Sequence, residues 1–275
     1  MELAYYGTAA AEGWPGVFCE CESCKKARNL GGKNIRTRSQ AIVNDDLLID
    51  FPPDTYMHSL YGTLNLRKVK ALLITHAHTD HFYPEELIMY GEPYAHHSGA
   101  VVLDVYGNKP VKDWFASAMR LNDSSDLTKK LSFHEIAPFK PIQVLDYKVT
   151  PLLAAHDLSM QCCIYVIEQG NKRILYGNDT GIFPEETWDY IKGLRFNLVS
   201  LDCCSLMQPS GHAHMGLAEN RIVKNRMREL GCVNEDTCFV VTHFSHNGNL
   251  THEEIENTCA DDRFTVAYDG MKVSI

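Results

Sequence analysis

Absences bound this chain first. No apolar run approaches the roughly 20 residues needed to cross a bilayer, and the opening MELAYYGTAA lacks the basic start and apolar stretch of a secretory signal. The expectation is a cytoplasmic protein with no membrane partner. Positive charge is short: 26 Lys and Arg stand against 35 Asp and Glu, for a formal net charge of −9. Such a surface repels the backbones of large nucleic acids and weighs against them as partners. A small phosphate ester is not excluded, because a bound cation can reverse the field locally. No low-complexity linker, composition break or short repeat interrupts the 275 residues, so a single domain over 1–275 is expected.

What is present is apolar and β-rich. Residues 2–7 (ELAYYG) read as a strand. Residues 41–50 (AIVNDDLLID) read as a hairpin turning at Asn44–Asp46. Further strands are expected at 69–76, 99–108, 141–156, 162–179 and 196–204, the fourth of these turning at Gly170–Asn171. Pro84 with Glu85 and Glu86 suggests the first turn of a helix, and residues 111–122 have helical spacing. Residues 216–231 form the clearest amphipathic helix, stopped by Gly231. Thr251 caps another helix, and FTVAYDGMKVSI reads as a closing hairpin. Strands in both halves with helices between them suit a layered α+β architecture.

The ten cysteines are numerous for a chain without an export signal, which favours metal over disulfides. Cys162–Cys163 and Cys203–Cys204 sit in apolar, strand-like runs and read as small core residues. Cys19, Cys21 and Cys24 are different. They form C-x-C-x-x-C in a loop rich in Gly, Ala and Pro. Three thiolates at that spacing can wrap a zinc but need a fourth ligand, and His246 is the candidate.

The densest chemical signal is LLITHAHTDHFYPEEL, where an apolar strand delivers His76, His78, Asp80 and His81 within six residues. Imidazole and carboxylate suit a zinc-like cation. Four such donors so close together are crowded around one ion but can divide between two. Near the other end, VVTHFSHNG places His243 and His246 three apart where a strand runs into a loop. Strand alternation would turn them to opposite sides, so two different sites are expected.

The H-x-H-x-D-H string resembles the signature of the metallo-β-lactamase superfamily. Such proteins fold as a four-layer αββα sandwich. The resemblance implies three further ligands at strand ends, for which His156, Asp179 and His243 are the matches. Carried over, His76, His78 and His156 would hold one metal; Asp80, His81 and His243 a second; Asp179 would bridge them. Asp50 matches a strand-end aspartate that orients ligands, although a turn cap is the alternative. The CESCKKAR loop with T-H-F-S-H resembles, more narrowly, the cyclic-phosphodiesterase branch found in bacterial phosphonate breakdown, which uses a Cys₃His zinc. A similar cysteine loop occurs in the pyrroloquinoline-quinone biosynthesis B proteins.

That branch implies a metal-dependent hydrolase with two zinc ions (or manganese or iron) in the active site and one structural zinc. The metals would supply a hydroxide to attack a small phosphodiester, cyclic ones included. PSGHAHMGLAEN supplies the non-ligand histidine of the branch, His214 in preference to His212, and Asp80 is counted with it as catalytic. Relatives are often dimers, so a homodimer is among the expectations. Other readings are an ester, thioester or lactam hydrolase on the same site, or a non-hydrolytic iron-dependent or cofactor-biosynthesis protein. Arg36 and Arg38 carry forks that suit phosphate, but most such arginines are structural or solvated.

Overall fold

The computed structural model describes residues 1–98, 101–121 and 127–275. Fourteen strands among these residues form two seven-stranded sheets. The first sheet takes β1 (Glu2–Gly7), β2 (Gln40–Val43), β3 (Leu47–Ile49), β4 (Ala71–Leu73), β5 (Leu103–Gly107) and β6 (Leu131–Glu135). The second takes β7 (Ile142–Val144), β8 (Tyr147–Leu153), β9 (Cys163–Gln169), β10 (Lys172–Gly177), β11 (Leu198–Asp202), β12 (Cys238–Thr242) and β13 (Phe264–Val266). β14 (Lys272–Ser274) returns to the first sheet beside β1.

Alternation gives the central strands two buried faces. Leu3, Tyr5, Val43, Leu73, Tyr165, Ile167 and Tyr176 point into the layer between the sheets. Their neighbours Ala4, Tyr6, Ile42 and Leu72 face the outside of the first sheet. Ile164, Val166 and Leu175 face the outside of the second. Helices cover both outer faces: α1 (Glu22–Leu30), α2 (Thr55–Leu60), α3 (Lys109–Leu121), α4 (Leu127–Lys130), α5 (Glu185–Ile191), α6 (Leu217–Glu229) and α7 (His252–Cys259). α6 buries Leu217, Val223 and Met227 against the second sheet at the spacing expected for one helix face. Val111 of α3 does the same against the first. The result is the αββα metallo-β-lactamase fold.

The two sheets repeat one topology. Each runs through four antiparallel strands and then three more added in parallel: β14-β1-β2-β3 then β4-β5-β6, and β7-β8-β9-β10 then β11-β12-β13. No sequence repeat announced it.

Several local expectations change. FTVAYDGMKVSI is not a hairpin: β13 pairs in parallel with β12, whereas β14 pairs antiparallel with β1 in the other sheet. The connection crosses the sandwich because half-buried Asp269 is captured by Thr8 and Thr37 at 2.6 Å each, and Gly270 turns at φ +92°. The cysteine loop becomes a helix start, with Cys21 as the N-cap of α1. Pro84–Tyr90 is a 3-10 helix, not an α-helix. The strand expected at 69–76 is regular only over Ala71–Leu73. Of the strand expected at 99–108 and the helix at 111–122, positions 99, 100 and 122 lie outside the described residues.

Candidate metal centre

Every candidate ligand of the paired centre sits just past the C-terminal end of a strand, at one edge of the sandwich. β4 leads into His76, His78, Asp80 and His81; β8 into His156; β10 into Asp179; β12 into His243. Strand ends fan outward and have open space beyond them, which is where α/β sheets hold ligands. Asp50, Asp179 and His243 leave their strands at φ +64°, +58° and +62°. That left-handed region is uncommon for residues other than glycine. It breaks strand alternation and turns each side chain into the cleft.

Two groups of donors result. His76, His78, His156 and Asp179 offer atoms lying within 4.8 Å of one another, and so do Asp80, His81, Asp179 and His243. Asp179 belongs to both. His78 Nδ1 lies 3.0 Å from His76 Nε2 and 3.1 Å from His156 Nε2. Donors about 2.0–2.1 Å from one tetrahedral zinc stand roughly 3.3 Å apart. A ring nitrogen is either one donor or one acceptor, so a single N–H···N bond accounts for two of these nitrogens but not for the third, and a shared cation accounts for all of them.

The polar atoms also fail to satisfy each other. His81 Nε2 is 3.1 Å from Asp179 Oδ2, and His243 Nε2 is 3.5 Å from it. Yet His81 Nε2, Asp179 Oδ1 and both nitrogens of His243 are buried without an aligned hydrogen bond. Buried polar groups are normally partnered. These are close to one another but aimed at common points, which fits a cation at each.

Charge points the same way. Burial alone would raise Asp179 and Asp80, yet neighbouring histidines hold both well below the usual carboxylate range. Burial would lower His81, but the charges of Asp80 and Asp50 hold it well above an ordinary histidine. His76, buried beside His81, falls to about 4. The pocket is rich in carboxylate and draws positive charge onto whichever group can carry it.

Behind the donors stand two buried aspartates. Asp50 accepts from Thr75 N at 2.8 Å and from Thr75 Oγ1, and lies 2.7 Å from His81 Nδ1. It supports His81 and does not cap a turn. Asp202, at the end of β11, lies 3.0 Å from Nδ1 of His214 and accepts from Met215 N and Cys204 N. His214 Nδ1 is also 3.1 Å from Asp179 Oδ1. Burial opposes its charge, but Asp179 and Asp202 outweigh that and lift it to about 10. No such partner is found for His212 among the described residues. Sequence reading passed over Asp202, although it carries the signal shared by Asp50 and Asp179: an aspartate that ends an apolar strand.

A separate group gathers Cys19, Cys21, Cys24 and His246. His246 Nδ1 lies 3.4 Å from Cys21 Sγ and 3.8 Å from Cys19 Sγ. The Cys24 backbone N–H at the start of α1 lowers Cys21 to about 6, while burial raises Cys24. His243 and His246 lie in separate groups, but not by strand alternation. β12 ends at Thr242, and the left-handed His243 and the 3-10 turn at His246–Gly248 separate them.

The two arginines are committed elsewhere. Arg36 is 2% exposed, donates to Thr8 Oγ1 and Ala267 O, and lies over Phe244. Arg38 pairs with Asp54 at 2.9 Å. Cys162, Cys163 and Cys203 are buried in the core.

Comparison with known proteins places this edge in context. The family described as "Beta-lactamase superfamily domain" matches residues 47–254. Ribonuclease Z of Streptococcus sanguinis is 27% identical over 135 residues, covering 49% of this chain and 39% of that protein. The chain thus spans about two fifths of the length of that curated relative. Among solved structures, a diphosphatase of the PhnP family superposes with a TM-score of 0.75 at 20% identity, over 100% of this chain and 97% of the other. Zn2+-bound PqqB from Methylobacterium extorquens gives 0.73 at 19% identity, over 100% of both chains. At these identities the likeness to solved structures is one of fold.

Proposed function

Because this chain belongs to the β-lactamase superfamily, we propose that it is a metal-dependent hydrolase of a small, cyclic or linear, phosphodiester. The observation that carries this reading is the convergence of seven donors from four strand ends on two groups that share Asp179. In it, His76, His78, His156 and Asp179 hold one cation, and Asp80, His81, His243 and Asp179 hold the other. Zinc suits the donor set, and manganese or iron is compatible with it. A pair of such cations supplies Lewis acidity and a water acidic enough to act as nucleophile near neutral pH.

The remaining work falls to side chains. Asp179 keeps the two groups in register. Asp50, through His81, fixes one ring against rotation. Asp202 occupies Nδ1 of His214, which leaves Nε2 without a partner among the described residues on a ring whose side chain is 31% exposed. From there it donates to a phosphoryl oxygen or protonates the leaving oxygen.

Phosphodiesters are favoured over carboxylic esters, thioesters or lactams because curated relatives are named Ribonuclease Z and the structural neighbours include a PhnP-family diphosphatase. A small substrate is favoured over a long RNA by the net charge of −9. The second reading, an RNA substrate, rests on the Ribonuclease Z relatives. A non-hydrolytic role in cofactor biosynthesis rests on the likeness to PqqB. Cys19, Cys21, Cys24 and His246 hold a third, structural zinc in this proposal. The ten free cysteines suit the cytoplasm, and among the described residues no helix is long and apolar enough to cross a membrane. A homodimer remains part of the proposal.

Purified protein should turn over bis(p-nitrophenyl) phosphate and leave p-nitrophenyl acetate untouched. Turnover of the acetate alone would remove the phosphodiesterase reading. Iron in the isolated protein with neither substrate hydrolysed would favour the non-hydrolytic one.

A further inference from the structure

The histidines of the centre are not equally secured. His76 and His81 are 1% and 0% exposed. Their Nδ1 atoms meet Thr75 Oγ1 at 3.0 Å and Asp50 Oδ2 at 2.7 Å. His156 Nδ1 meets Ala213 O at 3.1 Å. His78 lies in the loop beyond β4, and its side chain is 34% exposed. Its contacts with the rings of His76 and His156 are edge-on, with centroids 4.7 and 5.1 Å apart. Such contacts do not distinguish a ring from its flipped counterpart.

The outer nitrogen of that ring has one acidic neighbour among the described residues. His78 Nε2 lies 3.4 Å from Asp157 Oδ2. Asp157 is itself secured. Its Oδ1 accepts from Ser159 N at 2.8 Å and Ser159 Oγ at 2.6 Å. Met160 N closes the turn on Asp157 O at 3.1 Å, and Asn108 Nδ2 donates to Met160 O and Gln161 O at 2.7 and 2.9 Å. One carboxylate oxygen is therefore taken, and the other is presented to His78 from a fixed turn.

We propose that Asp157 is a positioning residue that selects the orientation and tautomer of His78. A carboxylate at Nε2 keeps the proton there, so the lone pair sits on Nδ1, the atom that faces His76 and His156. It also makes the imidazole a better donor. The contact is partly solvated, so its contribution is to orientation more than to folding. Adjacent residues after β8 then act on two rings: His156 is a donor in its own right, and Asp157 aims the donor that arrives from β4, 79 positions earlier in the chain. This rests on the reading that His76, His78, His156 and Asp179 hold a cation.

The test is release of zinc from the full-length, zinc-loaded protein to a chromogenic chelator. Asp157→Ala should weaken one active-site zinc by roughly 10–100-fold while the others keep their affinity. Asp157→Asn, which retains an acceptor without the charge, should fall between. Ser159→Ala should shift the same zinc in the same direction by less. The metal-free Asp157→Ala protein should melt where the metal-free parent does. Release of all zinc at parental chelator concentrations would overturn the role of Asp157, and a lowered melting temperature of the metal-free variant would reduce it to a structural one. If the parent binds zinc only at its cysteines, the metal reading itself falls and this inference with it.

Discussion

Three residues of the centre, Asp50, Asp179 and His243, stand in left-handed backbone that non-glycine residues visit at about 1–3 kcal/mol each. The surrounding bonds hold them there, and the gain is direction: a side chain leaving a strand in that conformation points along the cleft and not across the sheet. His214 gains direction another way, from Asp202. Replacing His214 by Ala should reduce kcat by roughly 10²–10⁴-fold with zinc per chain unchanged, read by steady-state kinetics beside metal analysis. Full turnover in that variant would leave His214 as scaffold only.

At the scale of elements, the cysteine cluster and α1 are one unit. Cys21 caps the helix and its thiol accepts from Cys24 N, so the helix terminus stabilises the thiolate that a zinc would bind. Cys21→Ser separates the two roles, because serine is a good N-cap but a poor zinc ligand. The variant should lose one zinc per chain and melt roughly 5–10 °C lower, a shift on the scale of about 2–3 kcal/mol, by calorimetry and metal analysis. Unchanged zinc content would exclude the Cys₃His site.

Elements with local instructions were legible in the sequence. The β2–β3 turn, the capping box of Thr251 and Glu254 and the apolar face of α6 are all written within a few residues. The proposed donor set was legible because its residue types cluster at strand ends. Partners chosen at long range were not. Alternation in FTV and KVS marks strands but not which sheet each joins, and only the capture of Asp269 by Thr8 and Thr37 decides it. Asp157 and Asp202 were passed over for the same reason: each acts on a ring whose place is fixed by the fold.

Across the whole molecule, a buried to half-buried polar chain ties distant segments together. Gln40 meets His58 Nδ1, His58 Nε2 meets Thr37 Oγ1, Thr37 meets Asp269, and Asp269 meets Thr8, which also accepts from Arg36. Burial lowers His58 to about 4 from an ordinary 6.5 and raises Asp269 to about 6. For His58 the unfolded chain takes up a proton first, so its contribution is complete above about 6.5 and is lost as pH falls toward 4. Asp269 has the opposite sign: its contribution is present at low pH and lost as pH rises through 6. Urea unfolding of His58→Gln against the parent isolates the first effect. The parent's advantage should shrink by up to about 1.4 kcal/mol per pH unit between 6.5 and 4. A difference independent of pH would mean that His58 is not a buried neutral base.

The pairing of β1 with β14 joins Glu2 to Ser274, and this orders events in time. As the chain leaves the ribosome, the first six strands emerge early, yet their sheet keeps an open edge along β1 until residues 272–274 arrive. An unpaired edge of that kind can recruit a stray strand. The second sheet waits too, since His243 and His246 appear only after residue 242. In the proposed assignment, the group with Asp80 and His81 waits for His243 and the cysteine cluster waits for His246, whereas His76, His78, His156 and Asp179 are all present by residue 179, so one cation site would be complete well before the other two.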